Sequence, residues 1–215
     1  MLPARSSPRS SIGTRPTESQ SPDMAVAEGV ESSLTGPESL SKLLRNEGYT
    51  KFGFILFRTF YCDESLWERF LDEYDSLLFA ELKSKGFSDI LGKVYMDIVS
   101  DDCMENKIPA HIAFVYRLFD DIERGLKTKM CLIVDKECME SVTIKDSQSV
   151  PFVKAVDVNL GEERDSAYPR VMKVAISSLL ARFYPALANC DTVWEIATDI
   201  AADSDIIWTD WPDAN

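Results

Sequence analysis

The chain has 215 residues, of which 45% are hydrophobic and 27% are charged, and its formal net charge at pH 7 is −13. This length and composition are typical of one soluble domain with terminal extensions. The acidic excess disfavours binding to nucleic acid or to an anionic membrane surface, because both depend on cationic side chains. No apolar run approaches the ~18 residues that a transmembrane helix needs, so the sequence predicts no membrane span.

The cysteines indicate an intracellular protein without a disulfide framework. There are five of them, no two form a C-x-x-C pair, and the chain has one histidine. This pattern disfavours both a disulfide scaffold and a cysteine–histidine zinc site, so we expect no metal. Reduced thiols are typical of the cytoplasm. The sequence also lacks a glycine-rich phosphate loop, so we expect no cofactor.

Residues 1–40 are rich in Ser, Pro, Thr and Gly, which predicts a disordered leader. Arg5, Arg9 and Arg15 occur with no acid among the first seventeen residues, which leaves a mitochondrial transit peptide open as an alternative. We expect residues 41–205 to form a single domain and residues 206–215 to form an acidic, flexible tail.

The most regular stretch of the domain runs from Phe52 to Leu82. Phe52–Phe57 is an apolar run that predicts a central strand. Asp63 or Ser65 is placed to cap the helix that follows, which carries one continuous apolar stripe and ends near Gly86.

Further elements follow at regular intervals. Strands are predicted at 92–101, 130–134 and 152–159, and helices at 109–125, 170–184 and 193–201, with a helical turn at 137–142. We therefore predict an α+β fold, a single two-layer sandwich with a sheet of about four strands and helices mainly on one face.

Four residues are candidates for catalysis. Arg58 and Asp135 each follow a buried strand, and they could face a common pocket or form a structural ion pair. His111 is the only side chain whose ordinary pKa lies near neutrality, although no partner stands at an informative spacing. Cys62 precedes a helix N-terminus, where the pKa of a thiol can be lowered.

The C-terminal segment suggests protein binding. After Arg182 the chain has seven acids and no Lys or Arg, together with Trp194, Trp208 and Trp211. Aromatic anchors flanked by acids are typical of a segment that docks on a partner. The alternative is a C-terminal helix that packs on its own domain.

Several short motifs occur in a fixed order. They are FGF at Phe52–Phe54, RTFY at Arg58–Tyr61 followed by Trp67 and Phe70, MCLIVD at Met130–Asp135 with ESV at Glu140–Val142, and FVKAV at Phe152–Val156. In these residues the chain resembles a group of filamentous-fungal proteins of unknown function. The resemblance implies a fungal source and one domain over residues 50–185, and it transfers no catalytic residue.

The function that we expect is a non-enzymatic one, through protein contacts or through a ligand bound in a cleft. The alternative is an enzyme whose site is assembled from distant residues, with Arg58, His111 and Asp135 as its candidates. The oligomeric state is open, since an apolar edge of the sheet could pair two copies.

Overall fold

The computed structural model describes residues 37–144, 149–161, 170–197 and 206–209, and all of them belong to one compact unit. The predicted leader therefore lies outside the described residues, apart from the first turn of α1. The helices are α1 (Pro37–Glu47), α2 (Glu64–Ser84), α3 (Pro109–Arg117), α4 (Lys136–Ser141), α5 (Tyr184–Asn189) and α6 (Trp194–Ala197). The strands are β1 (Phe52–Arg58), β2 (Val94–Val99), β3 (Met130–Val134), β4 (Phe152–Asp157), β5 (Val171–Ala175) and β6 (Ile207–Trp208).

The strands form one mixed sheet in the order β2-β1-β3-β4-β5-β6. β1 pairs with β2 and β3 in parallel, β4 is antiparallel to β3 and β5, and β6 is parallel to β5. The predicted α+β class is confirmed, but the prediction of about four strands was wrong, because the described residues form a sheet of six.

The two missed strands have different causes. Val171–Ala175 was predicted as the start of a helix, because a short apolar run fits both periodicities. The helical segment instead begins at Ile176, and Pro185 lies in the first turn of α5, where a proline costs no helical hydrogen bond. β6 has two residues, too few to give a periodic signal.

The first face of the sheet, the one that contacts α2, carries the larger core. Phe52, Phe54 and Leu56 point to this side from β1, since alternate side chains of a strand share a face. The predicted cap of α2 is confirmed, because Asp63 Oδ1 accepts a hydrogen bond from the Leu66 backbone N–H at 2.9 Å. Helical side chains complete this core: Leu40, Leu44, Phe70, Tyr74, Leu78, Leu82, Phe183 and Leu187.

The second face is covered by α3. Ile55 and Phe57 of β1 pack here against Ile112 and Tyr116 of α3. The two parallel crossovers run in opposite directions across the sheet, one from β1 to β2 through α2 and one from β2 past β1 to β3 through α3. Crossovers of one hand that run in opposite directions place their helices on opposite faces. Most helices do lie on the first face, but a two-layer description omits this smaller third layer.

The close approach of β1 to β2 explains why the FGF motif has a glycine, Gly53. Its φ is +149°, and a Cβ added there would lie 2.0 Å from the carbonyl oxygen of Tyr95 on the neighbouring strand. Only glycine allows this approach of β1 to β2.

Within the described ranges, no helix combines the length and the apolar character needed to cross a membrane.

Candidate functional site

A cleft of about 850 Å³ opens beyond the carboxyl ends of the parallel strands β1 and β3. Thr59 and Phe60, which follow β1, and Asp135, which follows β3, contribute to its walls. The cleft extends across the second face of the sheet, beside α3. Its full lining is Thr59, Phe60, Asn106, Lys107, Ile108, Pro109, Ile133, Asp135, Lys136, Glu137, Glu140, Lys154, Val171, Met172 and Lys173.

Asp135 is fixed in this cleft by two roles. It is the N-cap of α4, and its Oδ1 accepts a hydrogen bond from the Cys138 backbone N–H at 3.1 Å. Its Oδ2 accepts a second bond from Lys154 Nζ at 2.6 Å. Both carboxylate oxygens are thus engaged, so Asp135 presents a held negative charge to the cleft.

Glu137 joins the two lysines of the cleft floor. Its carboxylate contacts Lys154 Nζ at 2.6 Å and Lys173 Nζ at 2.8 Å. Lys154 and Lys173 are direct partners across β4 and β5, and Lys154 is also the partner of Ile133, so they share the second face. We call Asp135, Glu137, Lys154 and Lys173 the lysine network.

The ion pairs of the lysine network shift the pKa values of Glu137 and Lys154. Hydrogen bonds from Lys154, then from Lys173, hold the pKa of Glu137 below its ordinary value. Burial alone would lower the pKa of Lys154, but the bonds to Asp135 and Glu137 outweigh it, and the pKa is raised. Both shifts favour the charged forms, so Glu137 and Lys154 stay ionised at neutral pH.

Residues 106–109 form the wall of the cleft that faces the lysine network. Ile108 is 67% exposed at the N-terminus of α3, and Lys107 is exposed beside it. Asn106 has a left-handed φ of 54°, the only such non-glycine residue in the part of the chain that the structure describes. Its N–H donates to the Thr59 carbonyl at 2.9 Å, which fixes this turn against the end of β1.

Arg58 does not line the cleft, and it belongs to a separate closed cluster. Its side chain is 3% exposed, its guanidinium pairs with both carboxylate oxygens of Glu64, and its Nε donates to the Phe60 carbonyl at 2.9 Å. The guanidinium lies 4.4 Å from the ring centre of Tyr61 and 4.7 Å from that of Trp67. We call Arg58, Tyr61, Glu64 and Trp67 the arginine cluster.

Of the four catalytic candidates, three therefore lie outside the cleft lining, and only Asp135 belongs to it. His111 is exposed on α3 and does not contribute to the cleft, and Cys62 is exposed near Glu105. The Cys62 thiol donates to Glu105 Oε1 at 3.5 Å, and this bond raises its pKa, contrary to the expected lowering. Among the described residues, no hydrogen bond or ion pair joins Arg58, His111 and Asp135, because Arg58 bonds α2 and Asp135 bonds α4.

The three C-terminal tryptophans have different placements. Trp208 is 4% exposed in β6, and its ring centre lies 5.1 Å from that of Phe183. The neighbouring carbonyl of Thr209 accepts from Ser178 Oγ at 2.6 Å. Residues 206–209, from the predicted tail, thus pack against the domain, and docking through Trp208 would require β6 to leave the sheet. Trp194 begins α6, and Trp211 lies outside the described residues.

Sequence reasoning missed the lysine network. The signal was present in β4, where Lys154 is the one charged residue inside the run FVKAV. A lysine inside a buried strand has to find an anionic partner. Its partners, Asp135 and Glu137, precede it by nineteen and seventeen residues, and no local spacing identifies them.

A metal site is not built from the residues described: no group of three or more His, Cys, Asp or Glu side chains is arranged to hold an ion. No protein-family model matches the chain, and neither the curated proteins nor the solved structures gave a match.

Proposed function

We propose that this chain is a non-enzymatic ligand-binding domain, and that its ligand is a small amphipathic acid held in the cleft at the ends of β1 and β3. The observation that carries the proposal is the cleft itself, about 850 Å³ in volume with a fixed charged floor. Ligand cavities of small molecules commonly span ~300–1,000 Å³, and in sheets with parallel strands they lie beyond the carboxyl ends of those strands.

The charge of the lining favours an acid over a base. Four lysines and three acidic residues face the cleft, a balance of +1 in a chain whose formal net charge is −13. Lys154 and Lys173 are engaged with Glu137 and Asp135, whereas Lys107 is exposed at the mouth. An incoming carboxylate would meet Lys107 and Lys136 first, and the network would orient it.

The apolar part of the lining favours a ligand with a hydrocarbon body. Ile133 and Val171 lie on the floor, and Phe60 and Ile108 lie on the walls. Apolar lining supplies most of the binding free energy for a small molecule, while a few charged groups set its orientation.

The proposal is non-enzymatic because of where the candidate residues lie. Of Arg58, Cys62, His111 and Asp135, only Asp135 lines the cleft, and its two oxygens are already engaged. The alternative, an enzyme that uses Arg58, His111 and Asp135 together, would require Arg58 to leave Glu64 and cross to the cleft.

The test is a binding screen by amide NMR, with small aromatic and aliphatic carboxylic acids and, as controls, their neutral amides. We expect the acids, and not the amides, to shift resonances of residues 106–109 and 133–140. Val171→Trp fills the cleft and should abolish these shifts, whereas Ile144→Trp, at a 53% exposed position outside the lining, should retain them. Acids that bind equally well to both variants would refute the proposal.

A protein-binding role is the second candidate. Phe114 of α3 and Leu118, the C-cap residue of α3, lie four residues apart and are 50% and 59% exposed. Large apolar side chains exposed close together are typical of contact surfaces.

We further propose a cytoplasmic location and a fungal source. The five free thiols support the cytoplasmic location, and the sequence motifs given above support the fungal source.

A further inference from the structure

In the part of the chain that the structure describes, no strand lies beside the outer edge of β2. β2 ends the strand order, and β1 is the only strand paired with it in the described part of the chain. An edge strand presents a row of backbone N–H and C=O groups that a further strand can bind.

Of the features by which proteins usually protect such an edge, β2 has a single charged side chain, that of Asp97. Its sequence is VYMDIV, six residues without proline, glycine or lysine, and Tyr95 and Ile98 are 41% and 38% exposed. An edge strand of six mostly apolar residues can therefore pair with another strand.

We propose that β2 pairs with β2 of a second copy of this chain, antiparallel about a two-fold axis that lies midway between the two Met96 residues. A two-fold axis perpendicular to the sheet keeps each face of the sheet on its own side, and residues that are opposite each other share a face. The axis therefore has to lie between two copies of the same residue. Only the positions of Met96 and Asp97 allow five of the six residues of β2 to pair.

Charge selects Met96 over Asp97. An axis at Asp97 would set the two Asp97 carboxylates directly opposite each other, and like charges at opposed positions destabilise a strand pair. An axis at Met96 sets Tyr95 opposite Asp97 of the second copy, and Val94 opposite Ile98.

Lys51 makes the chosen register electrostatically complementary. Its Nζ lies 4.4 Å from the ring centre of Tyr95 and 3.7 Å from Glu123 Oε2, and its side chain is 49% exposed. Tyr95 and Asp97 share the second face with Lys51, since all three line the same surface depression there. Asp97 of the second copy, opposite Tyr95, therefore comes close to Lys51, and the symmetry makes this contact twice.

A contact of this kind buries less surface than a permanent dimer does, so the dimer should be reversible and dependent on concentration. Sedimentation velocity of the full chain over a wide concentration range should show a monomer–dimer equilibrium. A chain that stays monomeric at the highest concentration would overturn the proposal.

Charge exchange tests the complementarity. Asp97→Lys alone and Lys51→Asp alone should each weaken dimerisation by at least about tenfold, because each variant opposes like charges. An equal mixture of the two variants should dimerise again, since the carboxylate introduced into one chain then meets the ammonium group introduced into the other. Glu73→Lys, the same change of charge on exposed α2, should dimerise like the wild type. Circular dichroism checks that each variant is folded, and failure of the mixture to recover dimer would overturn the assignment.

Cross-linking tests the register. In a chain with Cys62 and Cys103 changed to Ser, Met96→Cys should form a disulfide-linked dimer on mild oxidation, because paired residues on antiparallel strands lie within the Cα distance of a disulfide. Ile98→Cys should cross-link far less, since its opposite residue is Val94. Equal cross-linking at both positions would exclude pairing about Met96.

Discussion

The ends of β1 and β3 carry two clusters of charged side chains that differ in exposure, the arginine cluster and the lysine network. Arg58 and Val134 are direct partners in these neighbouring parallel strands, and Asp135 is the next residue. The arginine cluster at the end of β1 is closed by two aromatic rings, and Arg58 is 2% exposed. The lysine network at the end of β3 stays open to a cleft, and Glu137 is half exposed. Adjacent strand ends thus serve different purposes, one joining strand to helix and the other lining a cavity.

The difference comes from the helix that follows each strand. After β1 the chain enters a helix of 21 residues, and Glu64 at its start bonds Arg58. After β3 it enters a helix of six residues, which covers less of the sheet. The first turn of α2 thus bonds the end of β1, whereas Asp135 and Glu137 at the start of α4 line the cleft.

Loss of Arg58 should have the largest effect on stability. Arg58→Met removes an ion pair, a hydrogen bond to Phe60 and two ring contacts, and we expect the free energy of unfolding to fall by about 3 kcal/mol. Urea denaturation measures this. Arg69→Met, on the exposed side of α2, should change stability by less than about 0.5 kcal/mol. If the two variants lost equal stability, the arginine cluster would not be a structural joint.

Loss of Lys154 should cost less. Lys154→Met breaks bonds to Asp135 and Glu137, but both carboxylates remain partly solvated, at 33% and 50% exposure. We expect a loss of about 1–2 kcal/mol in the same denaturation experiment. Lys136→Met, whose pair with Glu140 is exposed, should lose less than about 0.5 kcal/mol. A loss larger than that of Arg58→Met would reverse the comparison drawn above.

Acid should weaken the lysine network through Glu137. The pKa of Glu137 is lowered in the folded chain, so its stabilising contribution is present above its ordinary pKa and is lost as the pH falls through the folded value. Thermal unfolding between about pH 6 and about pH 3 should therefore show a shallower loss of stability for Glu137→Gln than for the wild type. Identical pH profiles would indicate that Glu137 does not bind the lysines in solution.

The smallest effect is expected at Cys62. The carboxylate of Glu105 raises the pKa of this thiol, so Glu105→Gln should increase its rate of alkylation at neutral pH by roughly twofold to fivefold. Mass spectrometry after iodoacetamide treatment measures the rate. Cys103, whose pKa is raised by Asp101, provides an internal control with an unchanged rate. A slower reaction in the variant would contradict the assigned role of Glu105.

The elements that depend on local interactions could be predicted from the sequence. The β1–α2 unit, the cap at Asp63 and the buried strand Met130–Val134 follow from short-range periodicity and from side chains that bond within three residues. The α+β class follows from the order of those elements.

Which charged groups contact one another could not be predicted from the sequence, because it depends on how distant segments pack. Arg58 and Asp135 have equivalent positions in the sequence, yet one bonds Glu64, six residues ahead, and the other bonds Lys154, nineteen residues ahead. The strand β5, whose Lys173 completes the network, was hidden in a run that also fits a helix. Long-range pairing of strands brings such residues together, and periodicity along the chain carries no record of it.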